Sequence, residues 1–310
     1  MKHWLHAFRL RTLPLAAASV LTGSMLAGIF GEADGLIFFL CLLVAFELQI
    51  LSNLANDYGD FVKGTDNQNR LGNQRALQSG ALQPKQVKRM MVVFVAAALL
   101  TGVGLLLLAF PEVNLATFIL LATGIAAIGA AIKYTVGNNA YGYKGWGDIF
   151  VFLFFGIFAV LGTSYVQYHV FIPEMILPAI TIGLFATAVL NVNNIRDIDN
   201  DKACGKITIP VRLGVTKAKQ YHVILIAGAT LSIVAFSVII YQSAVDFLYL
   251  LSFPVIFANT RSVWTTEPSP AYNKLLKQLS LSILFFALMT CVSYILSFIV
   301  VVTGIGNVFN

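Results

Sequence analysis

Two acidic clusters stand out in an otherwise apolar chain. The first is Asn56-Asp57-Tyr58-Gly59-Asp60, and the second runs from Asn193 and Asn194 through Arg196 and Asp197 to Asp201. Around the first, Gln49, Asn53, Asn56 or Asp57, and then Asp60 follow offsets of three and four, which set them on one helical face. In the second, Asn193, Asp197 and Asp201 recur every four residues. Acids four apart on a helix are separated by about 6 Å along its axis. Such a pair suits a hard cation, and Mg²⁺ takes a few carboxylates together with phosphate oxygens and water. Lys63, Arg70, Arg75 and Lys202 form a basic collar around the clusters. Acids that hold Mg²⁺, with bases among them, make a receptor for a diphosphate, because the metal reverses the repulsion that a bare carboxylate pair exerts. One acidic cluster alone is as readily a solvated membrane edge. Two Asn-led clusters, each surrounded by bases, favour the metal.

These residues must be positioned by membrane helices. The chain has 310 residues, 58% hydrophobic and 11% charged, with a mean hydropathy of +0.82. A soluble domain is roughly 45–50% apolar and about 25% charged, so a soluble fold and a disordered chain are both excluded. The expected fold class is an all-α polytopic membrane protein. A crossing needs roughly 20 mostly apolar residues, and nine candidates run over about 13–30, 36–54, 91–110, 115–132, 149–168, 175–190, 223–241, 247–264 and 281–302. All 20 basic residues fall on one side of this arrangement. The opposite side holds Glu32, Asp34, Glu112, Glu174 and Asp246 and no base. The positive-inside rule then places the N-terminus and both acidic clusters in the cytoplasm and the C-terminus outside.

The long polar stretches, about 55–90 and 191–222, share the cytoplasmic side with the clusters. The net charge of +6 is explained by this topology and calls for no nucleic acid. Cys41, Cys204 and Cys291 are too scattered for a disulfide framework or a thiolate metal site, and the four histidines lack ligand spacing. The recurrence of an acidic cluster after the second and sixth spans suggests one domain built from two four-helix halves, about 1–135 and 145–265, with a ninth helix at about 281–302. A secondary transporter also uses repeats and buried polar residues. It needs access from both faces, whereas here the reactive residues collect at one.

The two clusters, placed across nine spans, resemble those of the UbiA superfamily of intramembrane prenyltransferases. The first motif of that family reads N-D-x-x-D-x-x-x-D and the second D-x-x-x-D. Asn56, Asp57 and Asp60 match the first, but Gly64 stands at its third acidic position, with Asp66 two residues on. Asp197 and Asp201 match the second. The stretch from Asn56 to Asp66, Arg75-Ala76-Leu77-Gln78-Ser79-Gly80, Asn193-Asn194-Ile195-Arg196-Asp197, Arg11-Thr12-Leu13-Pro14 and Lys206-Ile207-Thr208 resemble the branch that prenylates 1,4-dihydroxy-2-naphthoate.

The resemblance implies nine helices around a central cavity that opens toward the cytoplasm and into lipid, in the inner (plasma) membrane. It implies Mg²⁺ held by Asp57, Asp60, Asp197 and Asp201, and a polyprenyl diphosphate as donor. The naphthoate would be prenylated with loss of carbon dioxide to give demethylmenaquinone; 4-hydroxybenzoate or another phenolic acid is the alternative acceptor. The family segment matching Lys133-Tyr134 and Lys144 to Asp148 faces the cavity, so Lys133 and Lys144 are expected to contact the diphosphate. Tyr134, Asp148, Asn56, Lys63, Arg75, Asn193 and Asn194 are expected to bind substrate. Arg196 can pair with an acid, and with Lys133 and Lys144 it is expected to act in catalysis by stabilising the negative charge that develops on the leaving group. Glu47 lies mid-span and belongs to no family motif. The charge partition is tested by thiol labelling: an impermeant reagent should modify Cys204 only from the cytoplasmic side, with Cys41 and Cys291 protected within spans. Labelling of Cys204 from outside intact cells would invert the topology.

Overall fold

The computed structural model describes residues 2–303, and no strand occurs among them. A short helix, Lys2–Phe8, and a 3₁₀ turn, Leu10–Thr12, lead into α1 (Leu13–Phe30). Then follow α2 (Gly35–Val62), α3 (Pro84–Ala109), α4 (Leu115–Lys133), α5 (Gly147–Tyr168), α6 (Ile176–Arg196), α7 (Val215–Ile239), α8 (Phe253–Thr265) and α9 (Tyr272–Thr303). The helix starts are written in local chemistry. Asp34 accepts from Leu36 N and Ile37 N, each at 2.8 Å, and Asn114 accepts from Thr117 N at 3.1 Å, so each cap satisfies donors the first turn leaves free.

Eight of these helices are long and apolar enough to cross a membrane alone, not nine. The expected crossing at 247–264 is divided between a 3₁₀ segment, Ala244–Ser252, and the 13-residue α8. Pro254 stands in the first turn of α8, where its missing N–H is tolerated; further into a helix it would have broken the ladder. The composite lies antiparallel to α9. Ser243 shares a hydrogen bond with Ser297 at 2.8 Å, Ser293 donates to Val245 O at 2.6 Å, and Asn259 donates to Leu275 O at 3.0 Å.

Two boundaries bear on the site. Helix α2 runs eight residues past the expected end of its span, so Asp57 and Asp60 stay on regular helix. The second cluster does not. The backbone leaves the helix at Asp197, with φ −101° and ψ 16°, and Asp201 sits on a separate short helix, Ile198–Ala203. Asp201 N still donates to Asp197 O at 2.8 Å, which keeps the one-turn relation across the break.

Within lipid there is no hydrophobic drive to bring helices together, so close approach depends on small residues. Helix α6 is the enclosed centre and α4 the most exposed span. A Cβ on Gly156 of α5 would lie 2.5 Å from Ala179 O of α6, which leaves the two backbones in contact. Residues Phe152–Leu161 of α5 adopt a π-helix at this crossing, a form most often found at functional positions. Gly59 is equally constrained: a Cβ there would fall 2.5 Å from Thr135 Oγ1 and 2.7 Å from the Thr135 carbonyl carbon. This contact docks the chain after α4 against the acidic end of α2, where Thr135 Oγ1 donates to Ala55 O at 2.8 Å. Gly59→Ala should therefore cost about 1–3 kcal/mol through overpacking, read as a lower unfolding temperature in detergent. Gly104→Ala, whose Cβ meets nothing within 4 Å, should unfold as the parent does.

Candidate active site

A cavity of about 410 Å³ runs through the bundle, lined by α1 to α6 and by Leu276 and Ser280 of α9. Most of its wall is apolar. Its polar end carries Asn56, Asp60, Arg75, Asn193 and Lys206. Along α2 its lining reaches from Asp60 to Cys41, about 29 Å at 1.5 Å per residue. One side is aromatic: Tyr141 stacks on Phe150 with centroids 4.0 Å apart, Phe154 follows at 6.2 Å and Phe158 at 5.2 Å. Composition alone did not select these three from 24 phenylalanines.

Arg75 organises the polar end. Its Nη1 donates to Asp60 Oδ2 at 2.7 Å, Asp66 Oδ2 at 2.9 Å and Asn56 O at 3.0 Å, and its Nε lies 3.4 Å from Asp57. Asp57 also accepts from Arg9. Gly64, at the family's third acidic position, has φ +73°, where glycine is favoured over an acid. The turn it makes folds Thr65 N and Asp66 N back onto Asp60 O, at 2.9 and 3.3 Å, and delivers the Asp66 carboxylate to Arg75.

The second cluster closes on the first through the intervening chain. Arg70 bridges Asp66 and Asp197 at 3.4 and 3.6 Å, Gly72 N donates to Asp197 Oδ1 at 3.2 Å, and Asn200 donates to Thr65 O at 2.9 Å. Arg196 is paired within the cluster: its Nη2 meets Asp197 Oδ2 at 2.5 Å and Asn193 Oδ1 at 3.0 Å, and its Nη1 meets Asn273 Oδ1 at 2.9 Å. Lys206 Nζ stands 3.5 Å from Asp201 Oδ1, and Tyr143 donates to Asp60 Oδ1 at 2.7 Å.

Several expected residues lie elsewhere. Lys133 and Lys144 are exposed and line no part of the cavity; Lys144 Nζ donates to Asn139 Oδ1 at 3.0 Å. The reason is geometric. After Thr135 docks on α2 the chain turns through Gly137 and Gly145, both at positive φ, and it is Tyr143 that points inward. Lys63 covers the outer face of the Tyr143 ring at 4.0 Å. Asp148 and Asn194 are buried behind the lining, whereas Tyr134 belongs to it. Glu47 accepts from Thr101 Oγ1 of α3 at 3.2 Å, a contact between helices away from the cavity. Sequence reasoning left Arg9, Arg70, Tyr143 and Lys206 out of the site. Only the basic collar and the Lys206-Ile207-Thr208 pattern hinted at any of them.

No trio of His, Cys, Asp or Glu side chains stands close enough to cage an ion among the described residues. Mg²⁺ does not require one, since it binds through one or two carboxylates with the remaining positions filled by phosphate and water. Asp201 Oδ2 is buried and has no hydrogen-bond partner, a free acceptor close to Lys206 at the polar end of the cavity. Burial pushes the Asp201 carboxyl up to about 6, with Asp197 and Asp60 adding repulsion against the pull of Lys206. Burial works the same way on Asp197, but the hydrogen bonds and charge of Arg196 and the charge of Arg70 outweigh it and hold that carboxyl below its ordinary range. A hard cation beside Asp201 would satisfy the free oxygen and favour its charged form. The residues fit Mg²⁺.

Comparison with known proteins agrees with this geometry. Residues 16–283 match the UbiA prenyltransferase family. The chain is 43% identical over 276 residues to the 1,4-dihydroxy-2-naphthoate octaprenyltransferase of Escherichia coli, covering 89% of each protein. It is 43% identical over 284 residues to the protein of the same name from Haemophilus influenzae, covering 91% of this chain and 92% of that one. In fold it is similar to an apo UbiA homolog from Aeropyrum pernix, with a TM-score of 0.70 at 16% identity, covering 89% of this chain and 96% of that one. A UbiA homolog from Archaeoglobus fulgidus bound to DMAPP and Mg²⁺ aligns with a TM-score of 0.62 at 18% identity, covering 97% and 99%. With the acidic motifs, the helical cavity and the match over most of its length all in agreement, the chain belongs to the UbiA prenyltransferase family.

Proposed function

We propose that this enzyme transfers a polyprenyl group from a polyprenyl diphosphate to 1,4-dihydroxy-2-naphthoate, releasing diphosphate and carbon dioxide and giving demethylmenaquinone in its reduced, quinol form for menaquinone biosynthesis. The observation that carries this reading is the pairing of a long apolar cavity with a charged end built from Asp60, Arg75 and Lys206. The 43% identity to relatives named for this reaction supports the choice of acceptor. The basic-residue partition supports a plasma-membrane protein with its N-terminus and active site on the cytoplasmic side and its C-terminus outside.

The donor lies with its isoprenoid tail along the Phe150, Phe154 and Phe158 wall and its diphosphate between Arg75 and Lys206. Asp57 and Asp60 from one half of the chain, and Asp197 and Asp201 from the other, would hold Mg²⁺, which supplies Lewis-acid neutralisation of the diphosphate. Lys206 and Arg75 stabilise negative charge as the allylic carbon–oxygen bond breaks and its electron pair leaves with the diphosphate. The apolar wall keeps water from the allylic cation, and aromatic faces favour positive charge near them. The electron-rich naphthoate ring attacks through its carboxyl-bearing carbon. The new carbon–carbon bond forms there, the carboxyl group leaves as carbon dioxide, and the diphosphate departs separately. No strong general base is required.

Two experiments test this. Lys206→Met removes a charge-assisted contact and should lower turnover about 10- to 100-fold, whereas Lys144→Met, at an exposed position, should stay within about threefold. The reverse ranking would return the diphosphate contact to the loop after α4. For the acceptor, membranes are given Mg²⁺, a polyprenyl diphosphate and either carboxyl-labelled 1,4-dihydroxy-2-naphthoate or carboxyl-labelled 4-hydroxybenzoate. Labelled carbon dioxide with a prenylated naphthoquinol is expected from the first, and little product from the second. Prenylated benzoate that keeps its label, with the naphthoate inert, would overturn the acceptor and leave the enzyme class intact.

A further inference from the structure

The polar stripe of α2 continues beyond its charged end. Gln49 and Asn53 share the helical face of Asn56 and Asp60, line the cavity, and have no task in the mechanism above. Thr12, which ends the turn before α1, lines the cavity with them. The three side chains form one network. Asn53 Nδ2 donates to Phe8 O and to Thr12 Oγ1, each at 2.9 Å. Thr12 Oγ1 gives its single hydrogen to Arg9 O at 2.9 Å. Gln49 Nε2 donates to Thr12 Oγ1 at 3.2 Å and to Asn53 Oδ1 at 3.4 Å.

These bonds settle which way the Gln49 amide points. Phe8 O needs a hydrogen, so Asn53 turns its nitrogen there and leaves its oxygen toward Gln49. The Thr12 hydrogen is already committed to Arg9 O. Both groups that face Gln49 are therefore acceptors, and only its nitrogen satisfies them. Gln49 Oε1 is left buried with no hydrogen-bond partner. Among the described lining residues, Arg75 Nε and Ser280 Oγ are also without partners, but the first only donates and the second carries its own hydrogen. Gln49 Oε1 is the acceptor of the three that cannot donate. A buried oxygen in that state is costly until a donor reaches it.

We propose that Gln49 selects the aromatic acceptor by accepting a hydrogen bond from its free phenolic hydroxyl, a role that rests on the dihydroxynaphthoate reaction above. The prenyl donor cannot fill it, because diphosphate oxygens accept and an isoprenoid tail has no polar hydrogen. A carboxylate also only accepts. The acceptor ring carries two hydroxyls. The 1-hydroxyl stands beside the carboxylate and closes an internal hydrogen bond with it, which leaves the 4-hydroxyl as the free donor. Gln49 lies seven residues before Asn56, about 10.5 Å along α2. That separation gives a bicyclic ring room between the diphosphate end and the amide. The aromatic ladder of α5 lines the same cavity, so tail and ring have different walls to rest on. A site built to bond a hydroxyl rejects an analogue without one, because its buried oxygen then stays unpaired. No bond is made or broken at Gln49, so it sets specificity and takes no part in the chemical step.

Two acceptors are compared in membranes supplied with Mg²⁺ and a polyprenyl diphosphate: 1,4-dihydroxy-2-naphthoate and 1-hydroxy-4-methoxy-2-naphthoate. The methoxy group keeps the ring electron-rich but has no hydrogen to give. The parent should prefer the dihydroxy compound in kcat/KM by at least about tenfold. Gln49→Met has a similar length and no acceptor oxygen, so it should reduce that preference about tenfold. Its KM for the polyprenyl diphosphate should stay within about twofold of the parent's, since only the acceptor loses a contact. Gln49→Asn, whose amide stops one methylene short, should show the same reduction and carries the comparison if the Met variant does not fold. Equal use of both compounds by the parent overturns the role of Gln49 and leaves the proposed acceptor standing. So does an unchanged preference in a variant whose melting temperature matches the parent's. A parent that prenylates neither naphthoate loses both readings.

Discussion

The structure depends on Arg75. Its guanidinium touches the side chains of Asp57, Asp60 and Asp66, all nearly inaccessible to solvent, and it bonds the backbone of Asn56 as well. Three carboxylates in so small a volume would repel one another strongly in a low-dielectric interior. Around them Arg9, Arg70, Arg196 and Lys206 each close on an acid of one cluster or the other. Breaking a buried pair by removing one member typically costs about 3–5 kcal/mol, because the survivor is left uncompensated. The network is thus a structural requirement as well as a charged surface. It also joins the two halves, since Arg70 reaches an acid from each cluster.

The apolar part obeys a different constraint. In lipid the helices gain nothing from hiding hydrophobic side chains, so packing must come from shape and small residues. Gly156 and Gly183 bring α5 and α6 together, while α4 remains lipid-exposed along most of its length. The result is a bundle tightly closed around α6 and hollow between α1 and α5. A hollow lined by aromatic rings and ending at a cationic wall accommodates a molecule with a long apolar body and an anionic head. The same division of polarity keeps water at one end and away from the other.

Much of this was legible in the chain. Hydropathy located the long helices, because a run of about 20 apolar residues has few other uses, and the i, i+4 acids marked the site, because one helical turn is a local distance. The limits were local too. The 3₁₀ segment before Pro254 has the hydropathy of an ordinary span but not its length in α-helix. Asp197 and Asp201 keep their spacing across a break that periodicity could not reveal.

Which bases serve the acids was decided only in three dimensions. Lys144 and Tyr143 are neighbours in sequence, yet one faces solvent and the other Asp60, because glycines at positive φ set the course of that loop. Lys206 and Arg9 lie far from the first cluster along the chain, but one meets Asp201 beside that cluster and the other meets Asp57. Residue type and spacing determined that this is a membrane bundle with two acidic motifs, since those properties follow from composition and from the period of a helix. The identity of the cationic partners required the tertiary structure, because a charge acts through space and the chain's turns, not its order, set that distance.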